Sequence, residues 1–156
     1  MGVIMNLKKL ISYILITILI GSFFTLFIMN SFEIYQEINK PILSPPSIVF
    51  PIVWTILYIL MGISLYLVSE SRNYDKDKSY IIYIIQLLVN SIWPLFFFKF
   101  RFFLFSFFII LLLIYLVIKM IIEFYKQNKV SAFLQIPYLL WLLFAAYLNL
   151  AVFLLN

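Results

Sequence analysis

Three stretches of this sequence set aromatic and amide side chains at helical spacing. Gln86, Asn90, Trp93 and Phe97 recur at i, i+4, i+7 and i+11, which is one face of a helix. Tyr138, Trp141, Ala145 and Asn149 make a similar stripe, and Trp54, Tyr58 and Gly62 a third. Aromatic walls with a few hydrogen-bonding groups suit a flat, largely apolar ligand. The same amides can instead tie helices together, since Asn and Gln cross-link membrane helices by roughly 1–2 kcal/mol. Spacing alone leaves both roles open. Trp93 stands near the end of an apolar run, so a place in the aromatic belt at the membrane surface is a second reading for it.

Composition removes other chemistry. The chain has no Cys and no His. Disulfides, thiolate nucleophiles, a Ser-His-Asp triad, His-based zinc sites and His-ligated haem are excluded. No Asp, Glu, Lys or Arg interrupts the cores of the apolar runs, which disfavours a proton- or ion-coupled pump. We therefore expect no catalytic residue, no metal ligand and no required cofactor.

The elements that must position these faces follow from hydropathy. Of 156 residues, 66% are hydrophobic and 11% charged, against about 25% charged in a soluble domain. Mean hydropathy is +1.14. This is the composition of an all-α integral membrane protein. The apolar runs predict one domain, residues 1–156, built as a bundle of five transmembrane helices. The spans fall at about 10–29, 47–68, 79–98, 102–118 and 131–155. The first run, about 20 residues long, exceeds a signal-peptide core, and no small-x-small cleavage site follows it, so a retained helix is expected. The fourth is apolar all round and reads as a lipid-facing or packing helix. Lys119 and Glu123 carry it into the interface, with Lys126 and Lys129 in the next loop. Tyr13, Tyr66, Tyr74, Tyr80 and Tyr125 are placed as interfacial anchors.

The net charge of +5 does not point to nucleic acid, because the basic residues lie in short loops between apolar runs. Counted by alternating sides, eight fall with the N-terminus and the 70–78 and 119–130 loops, and three with Lys40, Lys99 and Arg101. The positive-inside rule then predicts a cytoplasmic N-terminus and an external C-terminus, as in a bacterial plasma membrane protein.

Three motifs resemble the TspO/MBR family, the translocator or tryptophan-rich sensory proteins. They are KPILSPPSIVFPIVWTILYILMG from Lys40 to Gly62, QLLVNSIWPLFFF from Gln86 to Phe98, and PYLLWLLFAAYLNLAVFLLN from Pro137 to Asn156. The resemblance implies five transmembrane helices around a ligand pocket capped by the loop between the first two spans. It implies a receptor or sensor for porphyrins, notably protoporphyrin IX, or similar flat lipophilic molecules. Passive transport of such molecules and light-dependent porphyrin breakdown are the alternatives. Carried over by motif, the ligand-binding positions are Tyr35, Pro45, Phe50, Trp54, Asn90, Trp93, Trp141, Ala145 and Asn149. Expected partners are the lipid bilayer and the lipophilic ligand. A homodimer follows from family habit alone, since the chain has no GxxxG. Two departures stand out. Leu43 occupies the family's Trp position before the Pro pair, which weakens the case for porphyrin breakdown. Leu150 replaces a Tyr of the animal cholesterol motif, and no basic residue follows Lys129.

Overall fold

The computed structural model describes residues 6–31, 33–72 and 75–156, so Tyr74 lies outside the described residues. Helix α1 (Leu7–Ser22) opens on Asn6, whose side chain accepts a hydrogen bond from the Lys9 N–H at 3.1 Å. This satisfies one of the free N–H groups of the first turn. The helix tightens into a 3-10 segment, Phe23–Ser31, followed by the single turn α2 (Ile34–Glu37). Then come α3 (Val49–Ser69), α4 (Asp77–Pro94), α5 (Phe103–Gln127), α6 (Lys129–Phe133) and α7 (Ile136–Leu155). There is no strand among the described residues. Five helical stretches are long and apolar enough to cross a bilayer: Leu7–Ile28, Val49–Ser69, Asp77–Lys99, Phe103–Gln127 and Lys129–Leu155. The five-helix membrane architecture therefore stands.

Two boundaries differ from the sequence reading. The fourth helix runs to Gln127, past the Lys119 and Glu123 expected to carry it into the interface, and takes in Lys126, expected in the loop. Lys119, Glu123 and Lys126 occupy one face of these extra turns, while Met120 and Phe124 on the other face are fully buried. Phe124 stacks on Tyr83 at 6.0 Å, so core packing carries the helix through its charged residues. The fifth span is two helices, α6 and α7, rather than one. Pro137 has no N–H to give the Phe133 carbonyl and its ring crowds that group, so the ladder breaks and restarts. Ser64 Oγ on α3 donates to the Ser131 carbonyl at 2.7 Å and pins the short α6 in place. Pro94 has a milder effect, and the chain continues as a π-helical turn, Leu95–Lys99.

α1 packs on α3 and α4, α5 on α4, α6 and α7, and α6 on α3. The helices thus close a ring. The apolar fourth span proves two-sided. Ser106, Ile110, Leu113, Val117, Met120 and Phe124 form a buried stripe spaced alternately four and three residues. Phe105, Phe108, Leu112 and Tyr115 remain on the outer face. Tyr66, expected at the surface, is buried at 4% exposure, and its hydroxyl accepts from the Asn6 N–H at 3.1 Å.

α1 and α3 meet at two glycines. A Cβ on Gly62 would lie 2.6 Å from the Ile14 Cα, and one on Gly21 would lie 2.4 Å from the Tyr58 ring. At Gly62 the obstacle is backbone and cannot rotate away. Gly62→Ala must therefore push α1 off α3. We expect a loss of about 1–3 kcal/mol, read as a lower midpoint in detergent unfolding; an unchanged midpoint would refute this close crossing.

Candidate functional site

The three faces read from spacing all turn inward. Gln86, Asn90, Trp93 and Phe97 are buried, as are Tyr58, Tyr138, Ala145 and Asn149. Trp54 and Trp141 are half-buried. Trp93 is therefore a core residue rather than a belt residue. Its indole N–H donates to Asn149 Oδ1 at 3.2 Å, and its ring stacks on Phe97 at 5.5 Å.

A chain of hydrogen bonds crosses the bundle below these aromatics. The Tyr58 hydroxyl lies 2.9 Å from both the Gly21 carbonyl and Asn90 Oδ1 and can donate to either. Asn90 Nδ2 donates to the Tyr138 hydroxyl at 2.7 Å, which donates to Gln86 Oε1 at 3.0 Å. This chain links α1, α3, α4 and α7. Nearby, the Thr17 and Tyr83 hydroxyls meet at 2.6 Å. Asn149 also donates to the Ala145 carbonyl at 2.8 Å. Both site asparagines thus work first as ties between elements. Each keeps one N–H and one lone pair for anything else.

Above the chain lies a cavity of two lobes. The first, about 280 Å³, opens between the 3-10 segment, α3 and α4. Phe50, Trp54, Tyr58, Asn90 and Trp93 line it, with Ser22 and Thr25 facing them from the first span. The second lobe lies beneath the 33–48 loop and is walled by Tyr35, Phe50, Trp93, Trp141, Ala145 and Asn149. Its free volume is about 20 Å³, room for a water molecule but not for a ring. The lobes share Phe50, Trp54, Trp93 and Phe98.

The loop closes the second lobe through an aromatic chain. Tyr35 meets Phe50 edge-on at 5.2 Å, and Phe50 meets Trp141 at 6.0 Å. The Tyr35 hydroxyl donates to the Pro45 carbonyl at 2.9 Å. Burial pushes that hydroxyl above its ordinary pKa near 10, against the lowering effect of a Ser44 hydrogen bond. It therefore stays a proton donor at neutral pH. Lys40 caps the outer side of the Tyr35 ring, with Nζ 4.5 Å from the centroid. Two tethers hold the loop to the bundle. Asn39 and Asn156 exchange hydrogen bonds at 3.0 and 2.9 Å. Arg101 pairs with Glu37 at 3.2 Å.

A tryptophan-walled cavity in a five-helix bundle, roofed by a proline-rich loop, is the arrangement the motifs implied. The TspO/MBR family model matches residues 12–155. The chain belongs to the TspO/MBR family. It is 37% identical to the tryptophan-rich protein TspO of Archaeoglobus fulgidus, over 97% of this chain and 99% of that one. It is 30% identical to the tryptophan-rich sensory protein of Cereibacter sphaeroides, over 75% and 73%. Identity to the human translocator protein is 32%, over 74% and 70%.

Eight of the nine TspO/MBR positions named from sequence line one lobe or the other. Pro45 lines neither, and acts through its carbonyl on Tyr35. Leu43, at the family's Trp position, is 66% exposed and lines neither lobe. The substitution therefore falls on the outer surface of the loop instead of removing a wall. Sequence reasoning missed the first span's contribution, Ile18, Ser22, Thr25 and Ile28. The available signal was Gly21, a small residue facing a large one on the neighbouring helix.

Because the hydrogen-bond chain runs through Asn90, Asn90→Leu should cost about 1–2 kcal/mol. Tyr138→Phe should cost less once Asn90 is gone. A double-mutant cycle in detergent unfolding reads the difference; coupling below about 0.5 kcal/mol would show that the two residues act independently.

Proposed function

We propose that this TspO/MBR membrane protein is a receptor or sensor that binds porphyrins, protoporphyrin IX in particular, or similar flat lipophilic molecules inside the bundle. The observation that carries this reading is the pair of adjoining lobes sharing Phe50, Trp54 and Trp93. The first lobe, at about 280 Å³, is near the lower end of ligand pockets, about 300 Å³. A tetrapyrrole needs the second lobe as well. Swinging Tyr35 out with its loop and turning Phe50 aside joins the two into one flat slot walled by Trp54 and Trp141.

In that slot the ring stacks against Trp54 and Trp141. The spare N–H groups of Asn90 and Asn149 are within the same walls. The carboxylates lie toward the loop, where Lys40 and the N-terminus of α3 supply positive potential. Below Asn90 the bundle is filled by Leu57, Met61, Leu87, Leu113 and Met120, each under 4% exposed. This packing supports binding over passage through the bundle. The absence of His and Cys suits a metal-free porphyrin better than haem iron.

The test is a protoporphyrin IX titration of the detergent-solubilised protein, followed by tryptophan quenching and the porphyrin absorption band. Saturable binding above that of empty micelles is expected. Trp54→Ala combined with Trp141→Ala should weaken it by about tenfold or more, at about 0.5–1.5 kcal/mol for each aromatic contact. Unchanged affinity in a double variant with a normal melting profile would overturn this placement.

We further propose that the N-terminus is cytoplasmic and the 33–48 loop external, from the eight-to-three distribution of basic residues. The chain has no native Cys, so single cysteines report cleanly. On intact cells a membrane-impermeant maleimide should label Ile42→Cys, and should reach Lys78→Cys only after permeabilisation. The reverse pattern would invert the topology.

A further inference from the structure

A second concavity lies on the lipid-facing surface, at the end of the bundle that carries the 33–48 loop. It is a groove of about 610 Å³ between the start of α5 and the end of α7. Phe102, Phe105, Phe108 and Phe153 form its walls, and Arg101 and Asn156 its polar rim. The four phenylalanines are between 38% and 59% exposed. Phe102 to Phe108 spans about 9 Å along the helix axis, a depth that a segment of acyl chain can follow. Arg101 stands at the mouth, at the level where headgroups sit, on a backbone turn with φ of 55°.

Both rim residues are also the loop's tethers. Arg101 holds Glu37, and Asn156 holds Asn39. The Arg101–Glu37 pair is more than half exposed on both sides, and such pairs are weak. The pair is made through a single contact, Nη2 to Oε2, whereas a phosphate can take the guanidinium through two parallel hydrogen bonds.

We propose that this groove binds an anionic phospholipid, one acyl chain along the phenylalanines and the phosphate on Arg101, and that the lipid displaces Glu37 and loosens the 33–48 loop. The site is distinct from the bundle cavity and does not depend on what that cavity binds. By linkage, lipid binding and loop release favour each other by the same factor. The exposed pair that is lost bounds that factor at about fivefold.

The experiment uses the full chain in nanodiscs of phosphatidylcholine with or without phosphatidylglycerol. It combines hydrogen–deuterium exchange of residues 33–48 with native mass spectrometry of retained lipid. Phosphatidylglycerol should raise loop exchange about fivefold in the wild type. Arg101→Gln should exchange fast in both lipids and retain less phosphatidylglycerol. Glu37→Gln should also exchange fast in both, yet retain phosphatidylglycerol as the wild type does. Lysines at the opposite end hold anionic lipid in every variant, so the difference at Arg101 decides. Equal retention by Arg101→Gln and wild type overturns the site. Wild-type loop exchange that ignores phosphatidylglycerol overturns the coupling.

Discussion

Hydrocarbon supplies no water to a buried polar group, so an amide or hydroxyl inside this bundle is costly unless it finds a partner in the protein. That constraint organises the middle of the molecule. Tyr58, Asn90, Tyr138 and Gln86 Oε1 are joined in sequence, and Tyr58 also reaches the Gly21 carbonyl, while the amide nitrogens of Gln86 and Gln135 are left without a partner. Four helices are fixed in rotation by these few contacts, because a helix turned by one residue would strand its polar group in an apolar medium. The tryptophans inherit their orientation from this. Trp54 stacks on Tyr58 at 5.6 Å and meets Tyr138 edge-on at 6.1 Å, and Trp93 is held by Asn149.

The bundle is asymmetric along its axis as a result. On the side of the charged 70–78 loop, mainly aliphatic side chains and the Tyr83–Phe124 stack fill the interior, and short polar ties such as Ser64 to Ser131 close it. On the other side, aromatic rings leave gaps that their shapes cannot fill, and the 33–48 loop covers them. Tyr35 and Ile38 anchor the loop in the aromatic core, and two asparagines and one exposed ion pair hold its edges. The rest of it is mostly exposed, so it opens at less cost than the spans. Cavity and roof therefore share one cause, the change from mainly aliphatic packing to mainly aromatic packing above Asn90.

Much of this was legible in the sequence, for identifiable reasons. Hydropathy counts residues that must avoid water, and that count needs no tertiary information; it gave five spans. Helical periodicity gave the inward faces, since polar groups in a lipid-facing stripe would be unsatisfied. The motifs named nine positions, and eight of them line the cavity lobes. The sequence also determined the missing chemistry, because a chain without His or Cys has no such ligand in any fold.

Tertiary structure decided what depends on partners. The fourth span is apolar on every side, so only packing reveals that Ser106 to Phe124 is its inner stripe. Its last turn carries Lys126, which reads as loop until Phe124 is seen against Tyr83. The roles of the asparagines needed coordinates, because an amide faces a ligand or a neighbour depending on what lies within 3 Å. Leu43 needed them as well, since a loop residue's direction is not periodic and spacing says nothing of it. The first span's place in the cavity wall, and the meeting of Arg101 and Asn156 at one groove, arise from residues far apart in the chain. The sequence states which groups must leave water; only the fold states which groups they meet.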